Sequence, residues 1–402
     1  MNRRSGVDFI VMLKQARRVA RHPWIWRKLI ALQGEKWLFD WLRPVDGRAG
    51  KIRQVSFRIT DLCNLRCATC GQWGEKGFLH GRSLGQLKRE EVSPGRYADL
   101  LDDLVRCGNR PLVYFWGGEP MLYEGSVDLM ERASRLGLPV SIATNGTRVA
   151  HEAERLVRAP LFLLQVSIDG HRAELHNKLR PSVGGGSNFQ DVESALDAVS
   201  QARGSRPGGL PLLVSLTVIS RENIHHLVDI YEKFHRQVDL FVFYLSWWID
   251  PDRASAHERD FSRRFGFTPS LHRGWLGSWR PTDYDALDRQ FQELARRSRS
   301  LSAPPAVILP KVTGAAELER YYTHHECTFG FKECISIYQA VEIDSNGDMS
   351  PCRDYHDYTV GNVKDDTIVR LWNSPAYRRF RNSISKEGLM PVCSRCCGLM
   401  GY

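Results

Sequence analysis

The feature that most constrains this chain of 402 residues is a loop with three closely spaced cysteines, Cys63, Cys67 and Cys70. An apolar alternating run at 55–59 precedes the loop and predicts a β-strand. A 4Fe–4S cluster normally takes four cysteine ligands, so three from one short loop would leave one iron open to another ligand. In α/β barrels, the chemistry lies at the C-terminal ends of the strands. The sequence therefore predicts a cluster-binding loop at that edge of a sheet.

Between residues 51 and 245 the chain alternates between strand-like and helix-like patterns. The strand-like runs fall at 55–59, 112–116, 140–143, 162–167, 212–219 and 238–245. Apolar residues at helical spacing occur between them, for example over 94–105 and 192–202. Such alternation is typical of a parallel sheet with helices outside it, so we predict an α/β fold.

Three further motifs and one arginine follow these runs in order. They are Gly117-Gly118-Glu119-Pro120, Thr144-Asn145-Gly146, Ser167-Ile168-Asp169-Gly170 and Arg180. Together with the cysteine loop, they resemble the radical S-adenosylmethionine (SAM) superfamily over roughly residues 50–245. The resemblance implies a partial (βα)6 TIM-like barrel in which the three cysteines hold a 4Fe–4S cluster that binds SAM.

The resemblance also implies which residues bind SAM. The backbone of Gly117, Gly118 and Glu119 would receive the amino group of SAM. The other cofactor-binding residues implied are Thr144, Asn145, Ser167, Asp169 and Arg180. In similar enzymes the serine and aspartate lie against the ribose and methionine parts, and the arginine meets the carboxylate. Thr69 stands where the family usually has an aromatic residue against adenine, and Trp73 is a candidate replacement.

A second group of cysteines lies near the end of the chain. Its members are Cys327, Cys334, Cys352, Cys393, Cys396 and Cys397. Asn346-Gly347, between two extended runs, predicts a hairpin that folds Cys352 back toward Cys334. The region resembles the twitch, a shortened form of the SPASM domain, and implies a small cysteine-rich α+β domain.

The resemblance implies one auxiliary 4Fe–4S cluster in this domain, because the further cysteines of a full SPASM domain are not present before Tyr402. The implied ligands are Cys334, Cys352, Cys393 and Cys396, with Cys327 and Cys397 as substitutes. A structural zinc site would also suit paired cysteines and stays open. Cys107 stands apart and is expected to be a buried thiol that behaves as a small apolar residue.

We divide the chain into four parts. They are a basic, aromatic-rich helical segment (1–50), the core barrel (51–245), a linker or insertion (246–325) and the auxiliary cluster domain (326–402). The first segment could lie on a membrane surface, hold a partner or pack on the outside of the barrel. The third is rich in tryptophan and arginine, and could cover the barrel mouth or serve as a connecting subdomain.

Composition limits the alternatives. Hydrophobic content of 42% and charged content of 25% are ordinary for a soluble globular protein. No run is long enough to span a bilayer and the N-terminus has no cleavable signal, so we expect a cytoplasmic protein. The net charge of +10 could attract nucleic acid, anionic lipid or an acidic peptide. A zinc-structured nucleic-acid-binding protein is a remote alternative, because it leaves the ordered motifs unexplained.

The resemblance implies an oxidoreductase that cleaves SAM reductively to a 5′-deoxyadenosyl radical. The radical takes a hydrogen atom from a substrate, and an electron passes to the auxiliary cluster. The expected partners are a flavodoxin or ferredoxin as reductant and a small-molecule or peptide substrate. The single auxiliary cluster and the lack of a leader-reading domain favour a sugar, cyclitol or lipid-type small molecule. The alternative is a maturase of a ribosomally made peptide or protein. The catalytic base cannot be named from the sequence.

Overall fold

The computed structural model describes Gly34 and residues 45–159, 161–204 and 209–400. The helix predicted over 1–50 therefore lies outside the described residues, apart from Gly34 and 45–50. Within the described ranges, no helix is long and apolar enough to cross a membrane.

A ten-stranded sheet runs through the described residues, in the order β10-β9-β8-β1-β2-β3-β4-β5-β6-β7. Strands β1 to β7 are parallel to their neighbours, and β8 pairs in parallel with the other edge of β1. Strands β9 and β10 complete the sheet in antiparallel order. The strands are β1 (Gln54–Thr60), β2 (Leu112–Gly117), β3 (Val140–Thr144), β4 (Leu163–Ser167), β5 (Leu212–Val218), β6 (Leu240–Tyr244), β7 (Ala306–Leu309), β8 (Ala340–Ile343), β9 (Asp348–Ser350) and β10 (Gly361–Asn362).

Helices connect the strands. They are α1 (Leu84–Glu90), α2 (Pro94–Arg106), α3 (Ser126–Arg135), α4 (Val149–Arg158), α5 (Ala173–Leu179), α6 (Asn188–Arg203), α7 (Leu227–Phe234), α8 (Pro251–Phe265), α9 (Tyr284–Arg297), α10 (Ala315–Thr323), α11 (Ile368–Trp372), α12 (Pro375–Glu387) and α13 (Cys397–Met400). Together, the parallel sheet and its helices confirm the predicted α/β fold.

The two faces of the sheet differ because side chains alternate along each strand. Phe57 of β1 packs edge-on against Tyr97 of α2, with ring centroids 5.0 Å apart, and stacks on Phe115 of β2 at 5.7 Å. Burying each such ring contributes about 1.5–3 kcal/mol. Ser56 and Tyr114 alternate with these phenylalanines and are paired in register. They therefore face away from the helices, into the interior of the curved sheet.

Four strands of the sheet lie outside the six predicted for the barrel, and two of them pair directly with barrel strands. β7, from the region 246–325, pairs with β6, and β8, from the C-terminal region, pairs with β1. β7 has only four residues and follows Pro304-Pro305, so its apolar run is too short to predict a strand. The pairing of β8 with β1 joins residues far apart in sequence, which local patterns do not reveal.

The predicted hairpin joins β8 to β9. The Gly347 N–H donates to the Asp344 carbonyl at 2.8 Å, and Gly347 has φ +94°. A Cβ atom at this position would lie 2.5 Å from Asn362 Oδ1. The turn therefore needs glycine both for its backbone conformation and for the space beside it.

A buried arginine fastens the C-terminal region to the barrel. Arg381 of α12 is fully buried. Its guanidinium donates to the Ile337 carbonyl at 2.8 Å and to the Gly47 carbonyl at 3.1 Å, and lies 3.9 Å from the ring centroid of Tyr377. One side chain thus holds the residues before β1, the residues before β8 and α12 together.

We expect Arg381→Met to lower the free energy of unfolding by about 2–4 kcal/mol, because it leaves buried carbonyl oxygens without donors. The measurement is urea unfolding followed by circular dichroism. Arg370→Met is the matched control, since Arg370 of α11 has a side chain 79% exposed and only an ion pair with Asp366. The control should change stability by about 0.5 kcal/mol or less. Equal urea concentrations at the unfolding midpoints of the two variants would contradict the role given to Arg381.

Candidate active site

The three cysteines of the predicted cluster loop lie directly after β1. Cys63 Sγ accepts a hydrogen bond from a backbone N–H two residues on, and Cys70 Sγ accepts one from the Trp73 N–H, both at 3.4 Å. The thiol of Cys67 lies near the guanidinium of Arg180, whose Nη1 is 3.6 Å from Cys67 Sγ. Each of the three sulfur atoms therefore has an N–H donor close to it.

The donor chemistry of this loop fits an iron–sulfur cluster. None of the three thiols forms a disulfide bond. Burial raises the pKa of Cys63 to about 12 and that of Cys67 to about 11, although Arg180 acts in the opposite direction on Cys67. Both thiols stay protonated until metal binding displaces the proton. Three sulfur donors from one turn match three corners of a 4Fe–4S cluster.

Glu119 ties the second and third motifs together. Its carboxylate is fully buried and accepts hydrogen bonds from Thr144 Oγ1 at 2.7 Å, the Asn145 N–H at 2.7 Å and the Met121 N–H at 3.0 Å. Burial raises its pKa, and these hydrogen bonds oppose the rise. Because its oxygens are engaged within the protein, Glu119 positions the backbone around it.

Two glycines let the second motif approach the cysteine loop. The Gly118 N–H donates to the Thr60 carbonyl, and the Glu119 N–H donates to the Leu62 carbonyl, both at 2.8 Å. A Cβ atom on Gly117 would lie 2.4 Å from the Thr60 carbonyl oxygen, and one on Gly118 would lie 2.2 Å from that of Leu62. Only glycine allows the two backbones to lie this close.

The fourth motif joins the site through an ion pair. Arg180 Nε lies 2.6 Å from Asp169 Oδ2, and both side chains are buried. The other oxygen of Asp169 accepts the Val218 N–H at 2.9 Å. Arg180 therefore links Asp169 to the thiol of Cys67. Ser167, the last residue of β4, is half-buried and precedes Asp169 by two residues.

The structure reveals supporting residues that the sequence motifs did not indicate. Asn64, inside the cysteine loop, accepts a hydrogen bond from Asn145 Nδ2 at 2.8 Å and donates to Thr147 Oγ1 at 3.0 Å. Asn223, after β5, donates to the Asp169 carbonyl at 3.1 Å. Asn64 could have been suspected from its place between the cysteines, whereas nothing local in the sequence marks Asn223.

Trp73 lies in a different place from the one proposed for it. It is buried, its indole N–H donates to the Asp61 carbonyl at 2.6 Å, and Arg66 lies over its ring at 4.1 Å. The ring packs with Leu79 and neighbouring apolar residues. The face beneath Arg66 is therefore not open to adenine, and Trp73 braces the cysteine loop.

Four cysteines of the C-terminal group come together. They are Cys334, before β8, Cys352, after β9, and the pair Cys393 and Cys396 near the end of the chain. Burial raises the pKa of Cys393 to about 12, with Cys334 adding to the rise, and that of Cys334 to about 11. Burial also raises the pKa of Cys352 and Cys396, which are close enough to influence each other. Four neighbouring thiols fit a fully ligated cluster, and their number also fits zinc.

The other three cysteines have different surroundings. Cys397 Sγ donates to Asp354 Oδ1 at 2.8 Å, and its N–H donates to Asp354 Oδ2 at 2.7 Å. The Cys327 carbonyl accepts from Arg395 Nη1 at 3.1 Å. Cys107 is exposed, and the expectation of a buried thiol was wrong. It follows the last turn of α2, beyond the face that the helix buries.

The two cysteine groups lie at opposite ends of the strands. Cys63 follows β1, whereas Cys334 precedes β8, which is parallel to β1, and Cys352 follows the antiparallel β9. From Cys352 the chain returns along the interior, where His356 bonds to the Asp344 carboxylate and Arg58 Nη2 lies 3.3 Å from Asp344 Oδ2. A line of buried polar side chains therefore joins the two groups.

Comparisons with known proteins agree with this geometry. Residues 57–234 match the family model of the radical SAM superfamily, and residues 334–397 match that of the SPASM iron–sulfur cluster-binding domain. The second match favours a cluster over a structural zinc ion at the C-terminal cysteines.

Two relatives and one solved structure illustrate the similarity. An AdoMet-dependent heme synthase of Methanosarcina barkeri is 22% identical over 85% of this chain and 88% of its own length. A cysteine-type anaerobic sulfatase-maturating enzyme of Clostridium novyi is 22% identical over 80% of this chain and 79% of its own. The structure of anSMEcpe with bound AdoMet and the Cp18Cys peptide is 18% identical, has a TM-score of 0.55, and overlaps 87% of this chain and 88% of that one. This chain is an iron–sulfur enzyme that belongs to the radical SAM superfamily and carries a C-terminal SPASM domain.

Proposed function

We propose that this enzyme oxidises an amino-acid side chain in a ribosomally made peptide or protein. The observation that carries the oxidative part is the arrangement of two cysteine groups at opposite ends of a polar interior. The peptide part is supported by relatives whose names state that they mature proteins, such as the sulfatase-maturating enzyme. We place the enzyme in the cytoplasm, with a flavodoxin or ferredoxin as reductant.

In this proposal Cys63, Cys67 and Cys70 hold the cluster that binds SAM. When bound, this pair of cofactors supplies a carbon radical that removes a hydrogen atom from the substrate. Asp169 and Arg180 form a buried pair beside the loop, and Arg180 is available to a carboxylate through its remaining N–H groups. The backbone of Gly117 and Gly118, held by Glu119, offers the polar groups that receive an ammonium.

Cys334, Cys352, Cys393 and Cys396 hold an auxiliary cluster in this proposal. Four thiolates leave no iron open, so the cluster serves to accept an electron and does not bind substrate. Cys397 is not needed as a ligand, because Asp354 engages both its thiol and its N–H. Cys327 likewise stays outside the ligand set.

A second candidate is the oxidation of a small molecule. The heme synthase relative supports it, because that protein aligns with most of this chain. A sugar, cyclitol or lipid-type substrate, which the sequence interpretation favoured, has no counterpart among the relatives described above. The two candidates share the site and differ in what enters the interior.

Counting iron and sulfide tests the two-cluster part of the proposal. We expect about eight irons per chain in the anaerobically reconstituted enzyme and about four in a Cys63/Cys67/Cys70→Ala variant, because each group would hold one 4Fe–4S cluster. Cys107→Ala is the matched control, since that thiol is exposed at the end of α2 and belongs to neither group. Zinc and no iron in the triple variant would make the C-terminal site structural.

The peptide proposal predicts a mass change. We expect a synthetic peptide from a short reading frame beside the gene to lose two hydrogen atoms, with 5′-deoxyadenosine formed, when enzyme, SAM and dithionite are combined without oxygen. Mass spectrometry and chromatography measure the two products. If no such peptide increases 5′-deoxyadenosine formation, while a low-molecular-mass cell extract does, the small-molecule candidate is correct instead.

The electron-relay role predicts that Cys334→Ala or Cys396→Ala uncouples the reaction. Formation of 5′-deoxyadenosine should continue, whereas oxidised peptide should fall by about tenfold or more, since the substrate radical has lost its electron acceptor. Cys327→Ala serves as the control from the same domain. Full product formation in the Cys334 or Cys396 variant would exclude a relay.

A further inference from the structure

Two carboxylates on the interior face at β8 have opposite environments. Asp344, just after the strand, meets Arg58 at 3.3 Å and bonds to His356. Although burial acts against it, these partners hold the pKa of Asp344 below its usual range. Two residues earlier, Glu342 points to the same face, in register with Ser56 of β1.

Glu342 is buried without comparable partners. Glu342 is 2% exposed, neither carboxylate oxygen has a well-formed hydrogen bond among the described residues, and the Ser56 hydroxyl on β1 is a neighbouring donor that favours the ionised form. The nearest cation is Arg353, whose Nη1 lies 3.7 Å from Glu342 Oε1. Burying a carboxylate with so little hydrogen bonding is unfavourable, because the group has lost the water that solvated it. This cost calls for an explanation other than stability.

Glu342 lies near the segment that contributes Cys352 to the auxiliary site. Arg353 directly follows Cys352, and its guanidinium lies 5.6 Å from the ring centroid of Tyr114 on β2. Tyr244, from β6 on the far side of the interior, is close enough to Tyr114 and Arg353 for their charges to affect it. Glu342 thus lies in the interior and contacts Arg353, the residue that directly follows Cys352.

We propose that Glu342 takes up a proton when the auxiliary iron–sulfur cluster is reduced, and so accepts the proton that an oxidised substrate loses. The inference rests on the proposed function for the electron acceptor. It goes beyond that function by naming the base.

In the substrate, a C–H bond and an adjacent X–H bond are converted to a C=X double bond. One hydrogen leaves the carbon as an atom to the deoxyadenosyl radical. The second leaves as one electron to the auxiliary cluster and one proton to a Glu342 oxygen. Arg353, which lies against the carboxylate, is the positioning residue.

The electrostatic surroundings permit this exchange near neutral pH. Burial raises the pKa of Glu342 to about 7, while Arg353 and His356 act against the rise. The titratable and charged groups that face it from the packed elements are Arg58, Tyr114, Asp344, Arg353, Asp354, His356 and Tyr377. Asp344 holds the pKa of His356 above its usual range, so His356 is the competing candidate for a proton exchanged near neutrality.

The test is the reduction potential of the auxiliary cluster against pH, in the full-length reconstituted enzyme without substrate. Electron paramagnetic resonance follows the titration between about pH 6 and about pH 9, a range that brackets the Glu342 pKa. The Cys63/Cys67/Cys70→Ala variant identifies the auxiliary signal. The potential should fall as pH rises, because the reduced state holds one more proton. Glu342→Gln should remove the dependence.

Asp344→Asn is the matched control. It makes the same chemical change on the same face, at a carboxylate that is already ionised. Because it also removes a buried partner of Arg58 and His356, its iron content is measured first, and the pH dependence should remain in the cluster-loaded variant. A potential independent of pH in the unmodified enzyme, or an equal slope in Glu342→Gln, would overturn the proposal. In the second case His356 would be the titrating group.

Arg353→Gln keeps the test decisive if Glu342→Gln fails to take up iron. Removing the cation favours the protonated carboxyl, so the fall in potential should move to higher pH. If the reduction potential of Arg353→Gln falls over the same pH range as that of the unmodified enzyme, the proposal is contradicted. Because these measurements use no substrate, they can fail while the peptide test succeeds, or succeed while it fails.

Discussion

The parallel pairing of β8 with β1 is the constraint on which the rest of the structure depends. It runs from Gln54 opposite Ala340 to Phe57 opposite Ile343. Beyond it, Arg58 lies between Asp61 at 3.0 Å and Asp344 at 3.3 Å, with all three side chains almost fully buried. Removing one partner from such a buried group costs about 3–5 kcal/mol, because a charge is left without compensation. The C-terminal region is therefore part of the barrel wall.

This pairing also fixes one cysteine group relative to the other. Asp61 lies two residues before Cys63, and Ser345 Oγ donates to Asp61 Oδ2 at 2.8 Å. The same β8 leads back at its other end toward Cys334. A strand is stiff along its length, so it sets the separation of the two groups. An electron-transfer arrangement needs such a fixed separation, and a flexible linker between two domains would not supply it.

Local signals in the sequence predicted much of the site. The spacing of Cys63, Cys67 and Cys70, the glycines of the second motif and the hairpin at Gly347 each reflect a short-range requirement, and the structure places them accordingly. The ion pair of Asp169 with Arg180 brings two motif residues together. The ligand assignments remain predictions.

Features set by distant parts of the chain were not predictable in this way. Glu342 is one acidic residue among many, and only the register of β8 against β1 shows that it faces the interior. Trp73 was a candidate surface for adenine, but Arg66 lies over its ring, which no sequence pattern indicates. Cys107 resembled a buried thiol by residue type, but the apolar face of α2 ends before it. Tertiary context decided each of these cases.

The order of the strands has a consequence for the growing chain. β1 leaves the ribosome early, whereas β8, its second neighbour, follows only after residue 340 has been made. At about 5–20 residues per second, one edge of β1 stays unpaired for tens of seconds. During that time the Arg58 side chain has no Asp344, and an unpaired strand edge is a template for association with other chains. Synthesis of β8 thus marks the moment at which this edge is closed, and until then the unpaired edge is a surface on which chaperones can act.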